Sequence, residues 1–378
     1  MIYELRQFDN VLLKFSAVES SNTPDIEIVW VNEDKKHLLP LDLFLTSDGL
    51  TKWLKHRIIP KNRAYVQNFL SKCGLSINRP MNIISVSKGL SLNDSYWVVE
   101  EGFEGCFDNY NLYENRFSQI LAHIAFTGYG SSIRTSLASC PEFTTNGALP
   151  KCWRRVDGKI KLYKGGTAGA SNTGNEPYSE FYAAQIATVL GINAIEYNIS
   201  CWKGELCSTC DIFTSKEYSY LPVGRIVKSG GFEAVKECYK NLGKKFEKAL
   251  NDMIVFDAII CNVDRHFGNF GFIVDNETNQ IVAPAPLFDH GNSLFNMAGR
   301  DDLESEEKLN AYAETLLPCV YDDFIATAKQ VLTPEHREGL RKLLDFKFRK
   351  HPRYNLPDKR LRLIEKQIHN RAKILLDK

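Results

Sequence analysis

The chain has 378 residues, of which 44% are hydrophobic and 25% are charged, and its formal net charge is +1. This is the composition of an ordinary globular protein, long enough for two or three domains or for two lobes around a cleft. The balanced charge excludes a global basic field, so we expect no direct binding to nucleic acid and none to membranes. Since no apolar stretch approaches the roughly 20 residues of a membrane span, we predict a cytoplasmic protein.

Residues 1–135 are predicted to form an accessory α/β region. The opening "MIYELRQFDNVLLKF" alternates polar and apolar residues and contains acids, which is typical of strands and not of a signal peptide. "IEIVWV" and "YWVVEE" also predict strands, whereas "GLTKWLKHRIIPKNRAYVQNFLSKCGL" has helical spacing interrupted at Pro60. "ENRFSQILAHIAFTGYG" predicts a helix that ends at Gly128 and Gly130.

Residues 136–216 predict a smaller region of strands around one helix. "KIKLYK" alternates as a strand, "GGTAGASNTGNEP" is a loop, and "YSEFYAAQIATVLG" is a helix closed by Gly191. "AIEYNISCW" and "CSTCDIFTS" predict two further strands, which carry Cys201, Cys207 and Cys210. A zinc site would need a second cysteine or histidine pair, so we expect these residues to be buried, reduced thiols.

Residues 217–378 are predicted to be mostly helical. "KKFEKALNDMIVFDAIICN" is a helix with one apolar face, and "FGFIV" and "QIVAPAPLF" flank "DNETN" as a hairpin. "PDKRLRLIEKQIHNRAKILL" is an amphipathic helix near the end of the chain. Its predicted inward-facing residues are Leu361, Ile364, Ile368 and Leu375.

The stretch "NVDRHFGNF" lies between the long helix and the hairpin, and "LFDHG" follows the hairpin's second strand. A hairpin returns its end close to its start, so Asp264, Asn269 and Asp289 are expected to converge. Phosphoryl transfer needs a carboxylate to accept the nucleophile's proton and oxygen ligands to hold Mg²⁺. We assign the first role to Asp264 and the second to Asn269 and Asp289, with Arg265 or His266 stiffening the loop. Asp and Asn are common in ordinary loops, so the placement of Asp289 is what favours catalysis.

The nucleotide side of such a site is expected upstream. Lys164 ends the strand in "KIKLYKGG" and could reach the phosphates, and Glu180 lies early in the next helix. A Lys–Glu pair across a strand and a helix holds the equivalent lysine in kinases. Lys161 lies on the same strand, and the strand's alternation does not decide between the two lysines.

Three glycine-containing loops could cradle phosphate with backbone amides: "GYGSS", "TNGALPK" and "KGGTAGAS". None has the G-x-G-x-x-G or Walker spacing, so a Walker-type NTPase is not predicted. "TNGALPK" directly precedes the lysine strand, and we assign its Asn146, Gly147 and Ala148 to ATP binding. The adenine is expected to meet the backbone near Phe213 and Thr214.

These stretches together resemble the HipA-type serine/threonine kinases. "NVDRHFGNFGF" is similar to that family's catalytic loop, "APAPLFDHG" to its metal loop, "TNGALPK" to its phosphate loop, and "YKGG" with "YSEFYAAQIATVLGI" to its lysine strand and helix. The matches fall in the family's order between about residues 140 and 295. The family pattern assigns the lysine to Lys164. Departures are Phe288 in place of tyrosine, His290-Gly291 after Asp289, and Thr-Asn-Gly in the phosphate loop.

The resemblance implies an α+β, two-lobed, protein-kinase-like fold. It has a β-rich N-lobe (136–216), a mainly helical C-lobe (217–378) and the extra N-terminal α/β region (1–135). It implies ATP and Mg²⁺ as cofactors and transfer of phosphate to a protein hydroxyl. Autophosphorylation in the phosphate loop would fall on Thr144 or Thr145. The family also suggests a toxin of a toxin–antitoxin system, with an antitoxin or regulatory partner.

Two other readings stay open. A catalytically silent module that binds nucleotide or a partner is suggested by the irregular glycine loop. A metallohydrolase could use Asp264, His266, Asp289 and His290, since such pairs suit Zn²⁺ or Mn²⁺. The hydrolase reading leaves Lys164 without a purpose.

Overall fold

The computed structural model describes residues 1–18, 24–132, 140–170 and 172–377. The chain divides into two compact units, each built from separate segments. The first unit comprises Met1–Lys164, Ile212–Leu221 and Ile273–Val282, and the second comprises Gly165–Asp211, Pro222–Phe272 and Ala283–Lys378. The bounds 1–135, 136–216 and 217–378 stay a prediction.

The first unit begins with an antiparallel sheet backed by short helices. Its strands are β1 (Ile2–Gln7), β2 (Asn10–Val18), β3 (Asp25–Val31) and β4 (Tyr96–Glu100), in the order β3–β2–β1–β4. Its helices are α1 (Ser47–Lys55), α2 (Val66–Lys72) and α3 (Pro80–Ser87). The predicted strands are confirmed. The stretch predicted to be helical with a break at Pro60 forms two helices, α1 and α2, separated by residues 56–65. The alternating side chains of β1 and β2 bury Leu5 and Phe15 completely, and Phe69 of α2 joins the same core.

One further helix and two strands of the first unit flank the phosphate-loop motif. α4 (Gln119–Thr127) ends at Gly128, whose φ of 76° is in the left-handed region that glycine tolerates. The predicted end is therefore confirmed, but the helix begins later than predicted because the Ser118 side chain caps it by accepting from the Leu121 amide. β5 (Lys151–Val156) and β6 (Lys159–Gly165) then pair antiparallel.

The second unit contains the helix predicted from "YSEFYAAQIATVLG" and two strands. α5 (Glu176–Leu190) ends at Gly191, as predicted, with a φ of 69°. β7 (Asn198–Trp202) and β8 (Glu205–Asp211) form an antiparallel pair. Cys207 is buried on β8, Cys210 is half-buried, and Cys201 is exposed on β7. The prediction of buried thiols is right for Cys207 and wrong for Cys201, because alternate residues of a strand face opposite sides.

The predicted hairpin is confirmed and joins a third strand. β9 (Tyr218–Pro222), β10 (Gly271–Asp275) and β11 (Gln280–Pro284) have the order β11–β10–β9. The two asparagines of the hairpin's turn, Asn276 and Asn279, are buried against the N-terminal part of the first unit. Gln7 Nε2 donates to the Asn276 carbonyl at 2.8 Å, and Asn279 Nδ2 donates to the carbonyls of His37 and Leu39 at 2.8 and 2.7 Å.

The rest of the second unit is helical, as predicted. Its helices are α6 (Gly231–Leu242), α7 (Lys244–Ile260), α8 (Glu306–Glu314), α9 (Phe324–Val331), α10 (Pro334–Leu343) and α11 (Asp358–Leu376). α7 is buried on every side from residue 252 onward, not on one face alone. The four predicted inward residues of α11 are all buried. Within the described ranges, no helix is both long enough and apolar enough to cross a membrane.

Candidate functional site

The loop after α7 is folded by its own side chains. α7 ends at Cys261, whose φ of 51° turns the chain sharply. Asn262 Oδ1 accepts from the Asp264 amide at 3.1 Å, and Asn269 Nδ2 donates to the Asp264 carbonyl at 3.0 Å. Asn269 is buried and Asp264 is half-buried. The two side chains that the sequence singled out are therefore held in one tight loop.

Arg265 joins this loop to the segment around Asp289. Its guanidinium is 1% exposed and binds Asp257 of α7 through Nε at 2.9 Å and Nη2 at 3.0 Å. Nη1 donates to the Phe288 carbonyl and, at 3.4 Å, to the Asn269 carbonyl. Nη2 also donates to His290 Nδ1 at 3.0 Å, since an arginine can only donate. The backbone of Asn269 and both neighbours of Asp289 thus meet at one cation.

The opposite charges of Asp257 and Arg265 offset part of the free-energy cost of burying each of them. Burial raises the pKa of the Asp257 carboxyl, and the Arg265 guanidinium opposes that shift. Burial alone would lower the pKa of Arg265, but the Asp257 carboxylate and, more weakly, Asp289 raise it overall. The guanidinium therefore stays charged and keeps all its donors. Asp257 was not predicted from the sequence, because it lies in an apolar helical run that gives no sign of a buried acid.

Asp289 is held in an uncommon backbone conformation beside buried groups. Its φ is 57°, in the left-handed region that disfavours side chains, and its amide donates to Tyr197 Oη at 3.1 Å. Burial raises the pKa of Tyr197 well above its usual value, and the nearby Glu180 and Asp289 carboxylates add to the shift. A residue other than glycine keeps a left-handed backbone conformation only where the surrounding contacts enforce it, and such residues are often found at functional sites.

Glu180 of α5 lies beside the same segment. It is fully buried and accepts from the Ser208 hydroxyl. A Cβ placed on Gly291 would lie 3.7 Å from Glu180 Oε1, so the carboxylate is close to the chain two residues after Asp289. Lys164 belongs to the first unit and Glu180 to the second, and their pairing stays a prediction.

The two candidate lysines of β6 differ in burial. Lys164 is buried and lies opposite Lys151 of β5, whereas Lys161 is half-buried and lies opposite Arg154. A buried lysine needs a compensating partner or ligand, so burial distinguishes Lys164 from its rival. Its catalytic role stays a prediction.

The phosphate-loop motif is exposed at its tip and anchored below. Asn146, Gly147 and Ala148 are all exposed. Gly147 has a φ of 92°, and a Cβ there would collide with Lys151 Nζ. Glycine is therefore favoured at this position by its backbone angle, and a side chain here would also displace the end of the flexible Lys151 side chain.

The hydroxyls of the motif's threonines are both engaged. Thr144 Oγ1 is buried and donates to the Leu90 carbonyl at 2.8 Å. Thr145 Oγ1 donates to the Pro141 carbonyl at 2.7 Å and accepts from Trp153 Nε1 at 3.0 Å. Because Thr144 is buried, its phosphorylation would first require the loop to expose it, whereas Thr145 is half-buried.

The residues assigned to the adenine lie just after β8. Phe213 packs edge-to-face on Tyr220 with ring centroids 5.5 Å apart. Thr214 is buried, and its hydroxyl donates to the Leu92 carbonyl. Their contact with a nucleotide stays a prediction.

The donor set around Asn269 and Asp289 suits Mg²⁺ better than zinc. Among the residues that the structure describes, no group of three or more His, Cys, Asp or Glu side chains could hold a metal ion. His266 is exposed, with Nδ1 accepting from the Gly268 amide at 3.0 Å, and His290 is buried beside Arg265. The hydrolase reading gains no support. A carboxylate and an amide oxygen fit Mg²⁺, which keeps several waters and also binds substrate phosphates.

The helix–loop–hairpin–loop order and the two compact units define a protein-kinase-like fold of the HipA type, as predicted. No known family model matches the chain. A solved structure of HipA from the toxin–antitoxin system of Shewanella oneidensis MR-1, in complex with HipB and operator DNA, aligns with a TM-score of 0.53 and 14% identity. The alignment covers 98% of this chain and 96% of that one.

In sequence, the chain is similar to the serine/threonine-protein kinase CtkA of Helicobacter pylori strain J99, with 27% identity over 150 residues. That match covers 36% of this chain and 45% of the relative, so it spans less than half of the relative's length. The crystal structure of a proinflammatory H. pylori kinase CtkA aligns with a TM-score of 0.48 and 18% identity, over 61% of this chain and 92% of that one.

The sequence match to CtkA and the structural match to HipA confirm the predicted resemblance to HipA-like kinases. The prediction that this chain does not itself contact nucleic acid gains no support, since the solved HipA complex contains operator DNA.

Proposed function

We propose that the protein is an ATP- and Mg²⁺-dependent serine/threonine protein kinase of the HipA-like type. The observation that carries this proposal is the Arg265 guanidinium, which donates to the carbonyls of Asn269 and Phe288 and to the His290 ring, so that it contacts both neighbours of Asp289. Two loops with oxygen-bearing side chains are thereby held together next to Asp264. The similarity to a protein named as a serine/threonine kinase supports the same conclusion.

In the proposed reaction Asp264 acts as the general base. Its carboxylate accepts the proton of a serine or threonine hydroxyl as the hydroxyl oxygen bonds to the γ-phosphorus. The bond from that phosphorus to the β–γ bridging oxygen breaks, and ADP leaves with the electron pair. A base of this kind is typically worth about 10²–10⁴ in rate.

The other assigned residues bind and orient. Asn269 and Asp289 would hold Mg²⁺, which when bound neutralises charge on the β- and γ-phosphates. Asn269 is suited to this because its Nδ2 is tied to the Asp264 carbonyl, which fixes the direction of the carboxamide. Lys164, paired with Glu180, would bind the phosphates, and the amides of the Asn146–Ala148 loop would cradle them.

The biological setting belongs to the same proposal. The similarity to a HipA solved with HipB suggests a toxin that acts on a host protein and is restrained by an antitoxin or regulatory partner. HipB and operator DNA are found with that relative, and their counterparts here would be identified by co-purification.

The test is transfer of labelled γ-phosphate from ATP, in Mg²⁺, to the chain itself or to proteins of a host lysate, with phosphosites located by mass spectrometry. Asp264→Ala and Asp289→Ala are each expected to lower the rate at least 100-fold, since each removes a group of the reaction centre. Asp345→Ala, at an exposed position of the second unit, is the matched control and should transfer at the wild-type rate. ATP binding without transfer to any acceptor would instead identify a silent module. An Asp264→Ala variant as active as wild type would refute the assigned base.

A further inference from the structure

Three asparagines form a chain of contacts that leads to the Asp264 carboxylate. We call Asn175, Asn292 and Asn296 the asparagine bridge. Asn292 Nδ2 donates to Asp264 Oδ2 at 2.9 Å, and Asn296 Nδ2 donates to Asn292 Oδ1 at 3.2 Å. Asn175 Nδ2 in turn donates to the Asn296 carbonyl at 2.9 Å.

The orientation of the Asn292 amide is fixed from both ends. An ionised carboxylate can only accept, so the nitrogen must face Asp264. The Asn296 donor on the other side requires the oxygen there, and the two requirements agree. The Asn292 carbonyl also accepts from the Val263 amide at 3.1 Å, which ties the backbone of this segment to the residue before Asp264.

The far end of the bridge is anchored to the second unit's helices. Asn175 immediately precedes α5, and Arg360 of α11 donates through Nη2 to the carbonyls of Phe295 and Asn296 at 2.8 and 3.0 Å. Leu294 and Phe295 have φ values of 51° and 57°, which is a costly turn for two residues with side chains. These contacts hold that turn in place, and with it the two asparagines that follow Asp289.

We infer that Asn292 is a positioning residue for Asp264: it holds one carboxylate oxygen so that the other faces the acceptor hydroxyl. This inference rests on the proposed kinase function. The asparagine bridge acts through Asp264, to which it is joined by the Asn292 amide. Asn292 and Asn296 lie in the segment after "DHG", whose sequence pattern by itself indicates no function.

Loss of this hydrogen bond should act on the rate and not on nucleotide binding. A carboxylate free to rotate spends less time in the geometry from which it can accept a proton. A hydrogen bond to a charged group is worth enough to change a rate about 10- to 100-fold. Asn292→Ala is therefore expected to lower kcat by that factor, with the KM for ATP within about twofold of wild type.

Asn292→Asp separates positioning from simple packing. It keeps the size of the side chain but replaces the donor with a carboxylate that repels Asp264, so kcat should fall at least as far as in Asn292→Ala. Asn241→Ala, on an exposed position of α6, is the control and should leave both constants unchanged. A raised KM for ATP with kcat preserved would overturn the inference, because it would show that Asn292 shapes the metal loop and not the base.

A second measurement does not depend on activity. In Asn292→Asp combined with Asp264→Asn, the donor and acceptor exchange places, and the hydrogen bond can form again. The double variant should recover most of the thermal stability that Asn292→Asp loses, although it transfers no phosphate. If the losses of thermal stability from the two single changes simply add up in the double variant, the hydrogen bond between residues 264 and 292 is refuted. A wild-type chain that transfers no phosphate would refute the proposed function and this inference together, whereas an Asn292→Ala variant with wild-type kcat would refute this inference alone.

Discussion

Replacing Arg265 with alanine would remove the cation on which both candidate loops depend. The guanidinium is almost fully buried, and its partner Asp257 has no exposed surface. Removing one member of a buried ion pair typically costs about 3–5 kcal/mol, because the other charge is left without compensation. Total stabilities are typically about 5–15 kcal/mol, so the variant should still fold but with a clearly lower free energy of unfolding.

The cost should depend on pH in a defined direction. Burial raises the pKa of Asp257, and loss of Arg265 removes the strongest opposition to that shift and leaves only the weaker contribution of Asn262, so the carboxyl can take up a proton. A carboxyl with a raised folded-state pKa binds more protons in the folded state than in the unfolded state. The stability of Arg265→Ala should therefore fall as pH rises from about 4, near the ordinary aspartate pKa, through the raised value. Its deficit relative to wild type should be smallest in acid and about 3 kcal/mol at neutral pH.

The assays are urea unfolding between pH 4 and 8 and phosphate transfer at pH 7. The decisive variant is Asp257→Leu combined with Arg265→Met, because apolar residues of similar volume often replace a buried ion pair without loss of stability. It should unfold near the wild-type urea concentration yet transfer phosphate at least 10-fold more slowly, since the Phe288 and Asn269 carbonyls have lost their donor. Full activity in this double variant would refute the anchoring role of Arg265. A stability deficit of Arg265→Ala that is independent of pH would refute the electrostatic account.

Two further predictions concern the first unit. Lys164→Ala should lower phosphate transfer at least 10-fold in a steady-state assay, whereas Lys161→Ala on the same strand should lower it less than twofold, because only Lys164 is buried. A larger effect of Lys161→Ala would reverse the assignment. Gly147→Ala should raise the KM for ATP several-fold by displacing Lys151, while Gly158→Ala, with a similar positive φ and open space around its Cβ, should cost about 1–2 kcal/mol of stability and leave the KM unchanged. Equal KM values for the two variants would refute the packing argument.

The sequence predicted the fold well where local pattern determines structure. Alternation predicted the strands of the first sheet, glycine predicted the ends of α4 and α5, and the apolar face of α11 predicted its buried residues. The start of α4 was missed because a serine cap, not the apolar pattern, sets it. The exposure of Cys201 was missed because the face of a strand that meets solvent depends on what packs against it.

Part of the candidate site could also be predicted from the sequence. A hairpin brings its two ends together, so the proximity of the Asn269 and Asp289 segments followed from chain order. The contacts that hold those segments could not be read from the sequence. Asp257 lies eight residues before Arg265 within an apolar helix, and Asn292 looks like an ordinary loop asparagine until its amide is seen against Asp264.

The hairpin turn has a practical consequence for experiments on shortened forms of this chain. Its asparagines are bound by Gln7 and by the carbonyls of His37 and Leu39, far upstream in the sequence. A fragment that starts near residue 136 would expose those polar groups to water and lose the lining of the turn. Loss of activity in such a fragment would then report damage to the scaffold, and deletion could not by itself assign the N-terminal region a regulatory task.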